Sequence, residues 1–181
     1  MGNIKTNLYL VAPIAGYTPQ IGRLVSMMNY ARRTTLDEAE GLSVEHLDYL
    51  HDPQSNSIGA LLLHIAAVEV WYQAATFGSR AAAESETGPW EVALDLGARS
   101  RREIKGHDVD YYLRLLAEVR AKTLDELARR DDAWLDEETP FWDRQPANNY
   151  FKWFHVLEDE INHRGQIRWL RKRAVGREEK A

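Results

Sequence analysis

Apolar side chains recur every three or four residues over four long segments of the 181-residue chain. A period near 3.6 places these side chains on one face of an α-helix. The spacing therefore predicts four long helices, at residues 19–39, 57–76, 109–130 and 148–173. No segment alternates convincingly between apolar and polar residues, as a half-buried strand does. Amphipathic helices of this length must bury their apolar faces against each other, so we expect an all-α four-helix bundle.

Residues that favour helix ends support these boundaries. Pro19 is tolerated in a first helical turn, and Gly41 can end a helix. The predicted N-terminal caps are Thr18, Ser57 and either Asn148 or Asn149, and the third helix is expected to start near Asp108, Val109 or Asp110. The run that begins at Thr123 resembles a capping box, so a break in the third helix is conceivable there. Residues 42–50 are expected to form a short helix or a turn, and residues 90–96 a short helix. Residues 1–17 are expected to be extended or irregular, and residues 131–147 a polar loop.

Composition excludes several classes of chemistry. The sequence has no cysteine, which rules out disulfides, cysteine-ligated zinc, iron–sulfur clusters and cysteine nucleophiles. Any thiol chemistry must take its sulfur from another molecule. The formal net charge is −5, whereas proteins that bind nucleic acid without sequence preference carry a basic face. We therefore expect no nucleic-acid partner.

Targeting signals are weak. The apolar run at residues 8–15 is interrupted by Pro13, and no run approaches the ~18 residues of a membrane span. Residues 1–6 fit a myristoylation pattern, but no polybasic patch follows, and one acyl chain anchors a protein only marginally. We expect one domain over residues 1–181, with its helical core at about 18–173, in a cytoplasmic protein without a membrane partner.

Histidines and one aspartate on two of the predicted helices could hold a metal ion. His64 lies in the most apolar stretch of the chain and so faces the core. His155, Asp159 and His163 are spaced by four residues along one face of the last helix. Two ligands from that helix and a third from a facing helix form a natural metal site in a bundle. The alternative is a structural network in which Asp159 accepts hydrogen bonds from a histidine.

Aromatic side chains also allow two interpretations. They either line a ligand pocket or pack in the core and at a dimer interface. The residues concerned are Trp71, Tyr72, Tyr111, Tyr112, Trp153 and Trp169.

Two segments resemble the DinB-like superfamily. Residues 57–69, SIGALLLHIAAVE, are similar to its second-helix segment, and residues 155–167, HVLEDEINHRGQI, to its final-helix signature. The likeness extends over residues 18–173. It implies a four-helix bundle with a long crossover connection, and a dimer, as in many members.

The resemblance also implies a metal site. The usual site has one histidine on the second helix and two histidines four residues apart on the last. His64 and His163 match that pattern, whereas Asp159 stands in place of the other histidine. A neighbouring branch, similar to mycothiol-dependent maleylpyruvate isomerase, carries glutamate there. His155 is the substitute ligand if Asp159 is too short, and Glu69, His155 and Gln166 could orient the ligands by hydrogen bonds.

Characterised relatives imply the chemistry. They are thiol transferases or isomerases that use low-molecular-weight thiols such as bacillithiol, mycothiol or glutathione. The resemblance therefore predicts a divalent ion, zinc or nickel first and iron or manganese otherwise, and a transferase, isomerase or hydrolase that acts on a small molecule. The alternative is a non-enzymatic dimeric bundle, a stress or regulatory protein with a structural polar cluster.

Overall fold

Long helices dominate the structure, a computed structural model that describes residues 7–78, 88–141 and 144–178. The myristoylation pattern at residues 1–6 lies outside the described residues. A 3₁₀ turn at Gly88–Trp90 precedes α4. The elements in chain order are α1 (Pro19–Ala39), α2 (Val44–Asp48), α3 (Ile58–Phe77), α4 (Glu91–Asp95), α5 (Gly97–Glu103), α6 (Val109–Leu127), α7 (Asp132–Asp136), β1 (Glu138–Pro140), β2 (Pro146–Asn148) and α8 (Asn149–Glu178).

The four long helices form the predicted bundle. Helix α3 packs against both α6 and α8, and α1 packs against α8 and, less extensively, α6. The consecutive helices α1 and α3 are not among these packed pairs, so the connection that contains α2 crosses one end of the bundle. This arrangement confirms the all-α fold and brings α3, which carries His64, beside α8, which carries Asp159 and His163.

The N-termini of the long helices are capped largely as predicted. Ser57 accepts a hydrogen bond from the Ala60 amide at 3.1 Å, and Asp108 and Asn148 cap α6 and α8 in the same way. Thr18 occupies the cap position of α1, as expected, but its side chain makes no capping hydrogen bond. Its hydroxyl donates a hydrogen bond to the Asp132 carboxylate of α7. That carboxylate also accepts hydrogen bonds from the backbone amides of Gln20 and Ile21 at the start of α1. A distant side chain thus replaces the local cap.

Three details differ from the sequence-based expectation. Helix α6 runs without a break through Thr123, because the hydroxyl of Thr123 donates to Glu69 on α3 instead of capping a new helix. The predicted loop at 131–147 contains α7 and a short antiparallel hairpin in which Glu138 pairs with Asn148. Residues 97–103, for which no element is predicted from the sequence, form α5. These short elements have too few residues to show a periodicity.

Helix α3 is the most apolar of the four long helices. It is the only described helix that is long and apolar enough to cross a membrane, and 78% of its apolar window is buried inside the protein. Its length and composition are therefore those of a core helix. The buried side chains around it come from every long helix, among them Leu24, Met28, Leu61, Leu116 and Ile167.

A buried ion-pair network joins the four long helices. Arg32 of α1 and Arg120 of α6 each contact both Glu69 of α3 and Glu160 of α8, at N–O distances of 2.7–3.0 Å. All four side chains are at most 9% exposed. Two positive and two negative charges balance, which is what allows charged groups to be buried together. The network fixes the position of α3 relative to α8.

Candidate metal centre

His64, Asp159 and His163 converge where α3 faces α8. One potential ligand atom from each lies within 4.8 Å of those of the other two. The Nε2 atom of His64 is 3.7 Å from Oδ1 of Asp159, and Nε2 of His163 is 3.3 Å from the same oxygen. The two imidazole rings meet edge to face, with their centroids 4.6 Å apart. Within the described residues, the structure thus assembles the ligand set that the resemblance implies.

The backbone of α4 sets the orientation of His64. Nδ1 of His64 lies 2.8 Å from the carbonyl oxygen of Ala93. A carbonyl can only accept, so Nδ1 carries the proton and the neutral ring presents the lone pair of Nε2 towards Asp159. Histidines that bind metals are usually held in this way, through a hydrogen bond from the other ring nitrogen. The short helix α4 is therefore part of the site.

The helical spacing of α8 brings Asp159 and His163 together. Residues four apart lie one above the other on a helix face. Nδ1 of His163 is 3.3 Å from Oε1 of Gln166, so its N–H donates to the amide oxygen and Nε2 faces Asp159. Gln166 therefore lies in contact with the His163 ring, on the side away from Asp159.

The electrostatics of the cluster favour a negative Asp159. Burial raises the pKa of this carboxyl, but the adjacent His163 and His64 outweigh burial and hold the pKa well below its usual range. For His64, burial lowers the pKa, whereas the nearby Asp159 carboxylate and the hydrogen bond to the Ala93 carbonyl raise it, and the net direction is upward. A cation between these groups would interact with the same negative carboxylate.

One oxygen of the cluster is left without a partner. Oδ2 of Asp159 is buried and has no hydrogen-bond partner among the described residues. A buried carboxylate oxygen without a partner is costly, and a cation held by the cluster would satisfy this carboxylate. Ligand bonds of about 2.0–2.2 Å at a tetrahedral ion separate two ligand atoms by about 3.4 Å, and the two observed N–O distances bracket that value. The residues present therefore fit a divalent ion.

The structure places two other predicted residues differently. Glu69 points into the buried ion-pair network, where its carboxylate contacts Arg32, Arg120 and Thr123, and it is not brought to the cluster. Its position five residues after His64 turns it towards another side of α3. His155 lies one turn before Asp159, pairs with Glu158 at 3.2 Å and is outside the three-residue cluster.

A cavity of about 460 Å³ opens beside the cluster. Volumes of about 300–1,000 Å³ are typical of small-molecule sites. His155 belongs to its wall, so the structure gives this residue a place in the cavity and not in the cluster. The lining residues are His64, Val68, Trp71, Tyr72, Leu94, Asp95, His155 and Asp159.

Several of these groups are not visible in the sequence patterns. The Ala93 carbonyl carries no side-chain signal, and Leu94 and Asp95 lie in a helix of five residues. Tyr72 is a different case, because the sequence already marked it as a pocket or core aromatic, and it is both buried and part of the cavity wall. Burial, with a smaller contribution from the Asp159 carboxylate, raises the pKa of Tyr72, so the phenol stays neutral. Trp153, in contrast, packs in the core.

Comparison with known proteins bears on the family and on the fold. A family model described as "MST: Mycothiol-S-transferase" matches residues 23–176. A solved structure, titled as that of a conserved protein of locus from Enterococcus faecalis, is similar in fold with a TM-score of 0.66. The two chains are 16% identical, and the match covers 84% of this chain and 95% of the other. No curated protein matches the sequence.

Proposed function

Because this chain belongs to the mycothiol-S-transferase family of the DinB-like superfamily, we propose that it is a metal-dependent enzyme that transfers a small thiol onto a small electrophile. In this reaction the thiol loses its S–H proton, the sulfur bonds to an electrophilic carbon, and a leaving group departs with the electron pair of its bond. The chain has no cysteine, so the sulfur comes from the cosubstrate. Mycothiol is the thiol that the family description favours.

The unpartnered Oδ2 atom of Asp159 is the observation that carries this proposal. It lies in a cluster with His64 and His163, and three ligands leave further coordination positions open, as catalytic metal sites do. Zinc and nickel suit two imidazoles, and the carboxylate also makes iron or manganese acceptable. A divalent ion held there lowers the pKa of a thiol and so supplies a nucleophile at neutral pH.

The residues of this chain have separate tasks in the proposal. His64, Asp159 and His163 hold the ion, and the Ala93 carbonyl and Gln166 fix the two imidazole rings. The walls of the cavity, including Val68, flank the place where sulfur and electrophile meet.

A conjugation assay tests the proposed function. Purified protein without an affinity tag is loaded with Zn²⁺ or Ni²⁺ and given mycothiol with a fluorogenic alkylating agent. We expect thioether formation above the uncatalysed rate, and its loss in His163→Ala. Absence of acceleration with every divalent metal and with mycothiol, bacillithiol and glutathione would favour the non-enzymatic alternative.

We further propose that the protein is a cytoplasmic homodimer that binds no nucleic acid. Large apolar side chains are 39–46% exposed on one face of α1 and α8, namely Tyr30, Phe154 and Ile161. Exposed apolar surface of this kind is typical of an interface between subunits.

A further inference from the structure

The cavity beside the metal cluster has a wall whose shape and charge favour one class of ligand. We propose that it selects small aromatic molecules that are uncharged or positively charged, and that it discriminates against carboxylates. This inference rests on the proposed function, because a cavity next to the reaction centre is then the substrate cavity. It goes further in naming the chemical class of the substrate and the residues that select it.

The shape of the wall favours a flat ring. Trp71 and Tyr72 follow Val68 by three and four residues, so one face of α3 presents all three to the cavity. The Trp71 and Tyr72 rings pack edge to face with centroids 4.8 Å apart, and Phe141 lies 6.0–6.3 Å from both. These ring–ring contacts hold the aromatic side chains at an angle to each other and form an apolar surface on this side of the cavity. An aromatic ligand gains from such a surface by stacking as well as by burial.

The charges of the wall oppose an anion. The described residues that line the cavity include two carboxylates, those of Asp95 and Asp159, and neither lysine nor arginine. The buried guanidinium groups of Arg32 and Arg120 are neutralised by Glu69 and Glu160. A divalent ion at the cluster would be balanced by Asp159 and one anionic cosubstrate. No positive charge then remains for a carboxylate on the electrophile.

Asp95 provides the preference for a positive ligand. It is the last residue of α4, is exposed, and lines the same cavity as Trp71. A carboxylate in this position can pair with an amine on a ligand whose ring lies against Trp71. The pair would be open to solvent, so its contribution is modest, about two- to fivefold in affinity.

A matched set of ligands tests the inference by ligand-observed NMR and calorimetry. The probes are 1-naphthylmethylamine, 1-naphthalenemethanol and 1-naphthoate at neutral pH, which share a ring system and differ in charge. Titrations use the chelator-stripped protein, in which no open coordination position of a metal ion can bind the carboxylate of naphthoate. We expect the amine to bind most tightly, the alcohol next, and naphthoate at least about tenfold more weakly than the amine.

Variants assign the selectivity to the cavity. Trp71→Ala should weaken the amine and the alcohol about tenfold, whereas Trp169→Ala, on the outer face of α8 against Arg173, should change neither. Asp95→Asn should abolish the preference for amine over alcohol and leave alcohol binding intact. Asp37→Asn, an exposed residue of α1 paired with Arg33, makes the same change in net charge as a control.

Three results would overturn the inference: equal binding of naphthoate and amine, no effect of Trp71→Ala, or no binding of any probe. The proposed transferase function fails on different evidence, namely the absence of metal and of thioether formation. Because the probes contain no thiol and the stripped protein contains no metal, the two failures are distinguishable.

Discussion

The Nε2 atom of His64 lies 3.7 Å from Oδ1 of Asp159, across the contact between α3 and α8. This separation is too long for a good hydrogen bond and close to that of two atoms that share a metal ion. It joins the most apolar helix of the chain to the helix that carries His163. His64 and Asp159 are 95 positions apart in the sequence. The site thus depends on how the two helices that carry them are held against each other.

The first prediction concerns the ligands. His64→Ala, Asp159→Ala and His163→Ala should each lose at least about 100-fold in Zn²⁺ affinity, because each removes one of three protein ligands. His155→Ala, on the same face of α8 but outside the cluster, should bind Zn²⁺ as the unaltered protein does. Elemental analysis after dialysis measures the metal content of each variant, and competition with a chromogenic chelator measures its Zn²⁺ affinity. Retained metal in Asp159→Ala with loss in His155→Ala would show that His155 is the ligand.

The second prediction concerns the unusual carboxylate. Asp159→His restores the three-histidine pattern that is usual in the superfamily. We expect one bound ion per chain and a shift of preference from manganese and iron towards zinc and nickel, since imidazole suits the latter pair better than carboxylate does. Competition between metals, read by mass spectrometry, checks the shift. An unchanged order of metals would mean that residue 159 does not contact the ion.

The third prediction concerns the buried ion-pair network. Glu69→Gln leaves Arg120 and Arg32 short of a counter-charge, and we expect a loss of about 3–5 kcal/mol in the free energy of unfolding. Glu91→Gln removes an exposed partner of Arg99 and should cost less than about 1 kcal/mol. Urea denaturation followed by circular dichroism measures both variants. Equal, small losses would show that the network contributes little.

The fourth prediction concerns pH. Burial raises the pKa of Glu69, but Arg120 and Arg32 outweigh it and lower the pKa to about 2, from an ordinary 4.5. A depressed pKa means that the unfolded chain takes up the proton first, so this stabilisation is complete above about pH 4.5 and is lost as the pH falls towards 2. The loss is roughly 3 kcal/mol. Urea denaturation across this range should therefore show a weaker pH dependence in Glu69→Gln than in the unaltered protein; parallel curves would refute the assignment.

The fifth prediction concerns self-association. Ile161→Glu places a charge on the exposed apolar face of α8 and should shift the protein from dimer to monomer in sedimentation at tens of micromolar, without loss of helix content. Asn162→Glu, at the next exposed position of α8, is the matched control and should stay dimeric. A monomeric unaltered protein would exclude the dimer altogether.

The sequence determined the bundle and most of its boundaries. Apolar spacing at 3.6 residues is a local property, so it located α1, α3, α6 and α8 without knowledge of their partners. The same regularity placed Asp159 and His163 on one helix face, and the apolar neighbours of His64 turned it inward. The resemblance to the superfamily then selected these three residues from the other candidates on α8.

Tertiary structure decided the remainder. The sequence suggested that Glu69 could support the metal ligands. In the structure its carboxylate pairs with Arg32 of α1 and Arg120 of α6, and this role depends on how those two helices pack against α3. The start of α1 is a second example, because the Asp132 carboxylate of α7, and not the Thr18 hydroxyl, accepts hydrogen bonds from the Gln20 and Ile21 amides. Ala93 contributes a backbone oxygen, which no side-chain pattern can reveal. Local spacing fixes which way a side chain faces on its own helix, whereas the group that it meets there depends on contacts between segments distant in sequence.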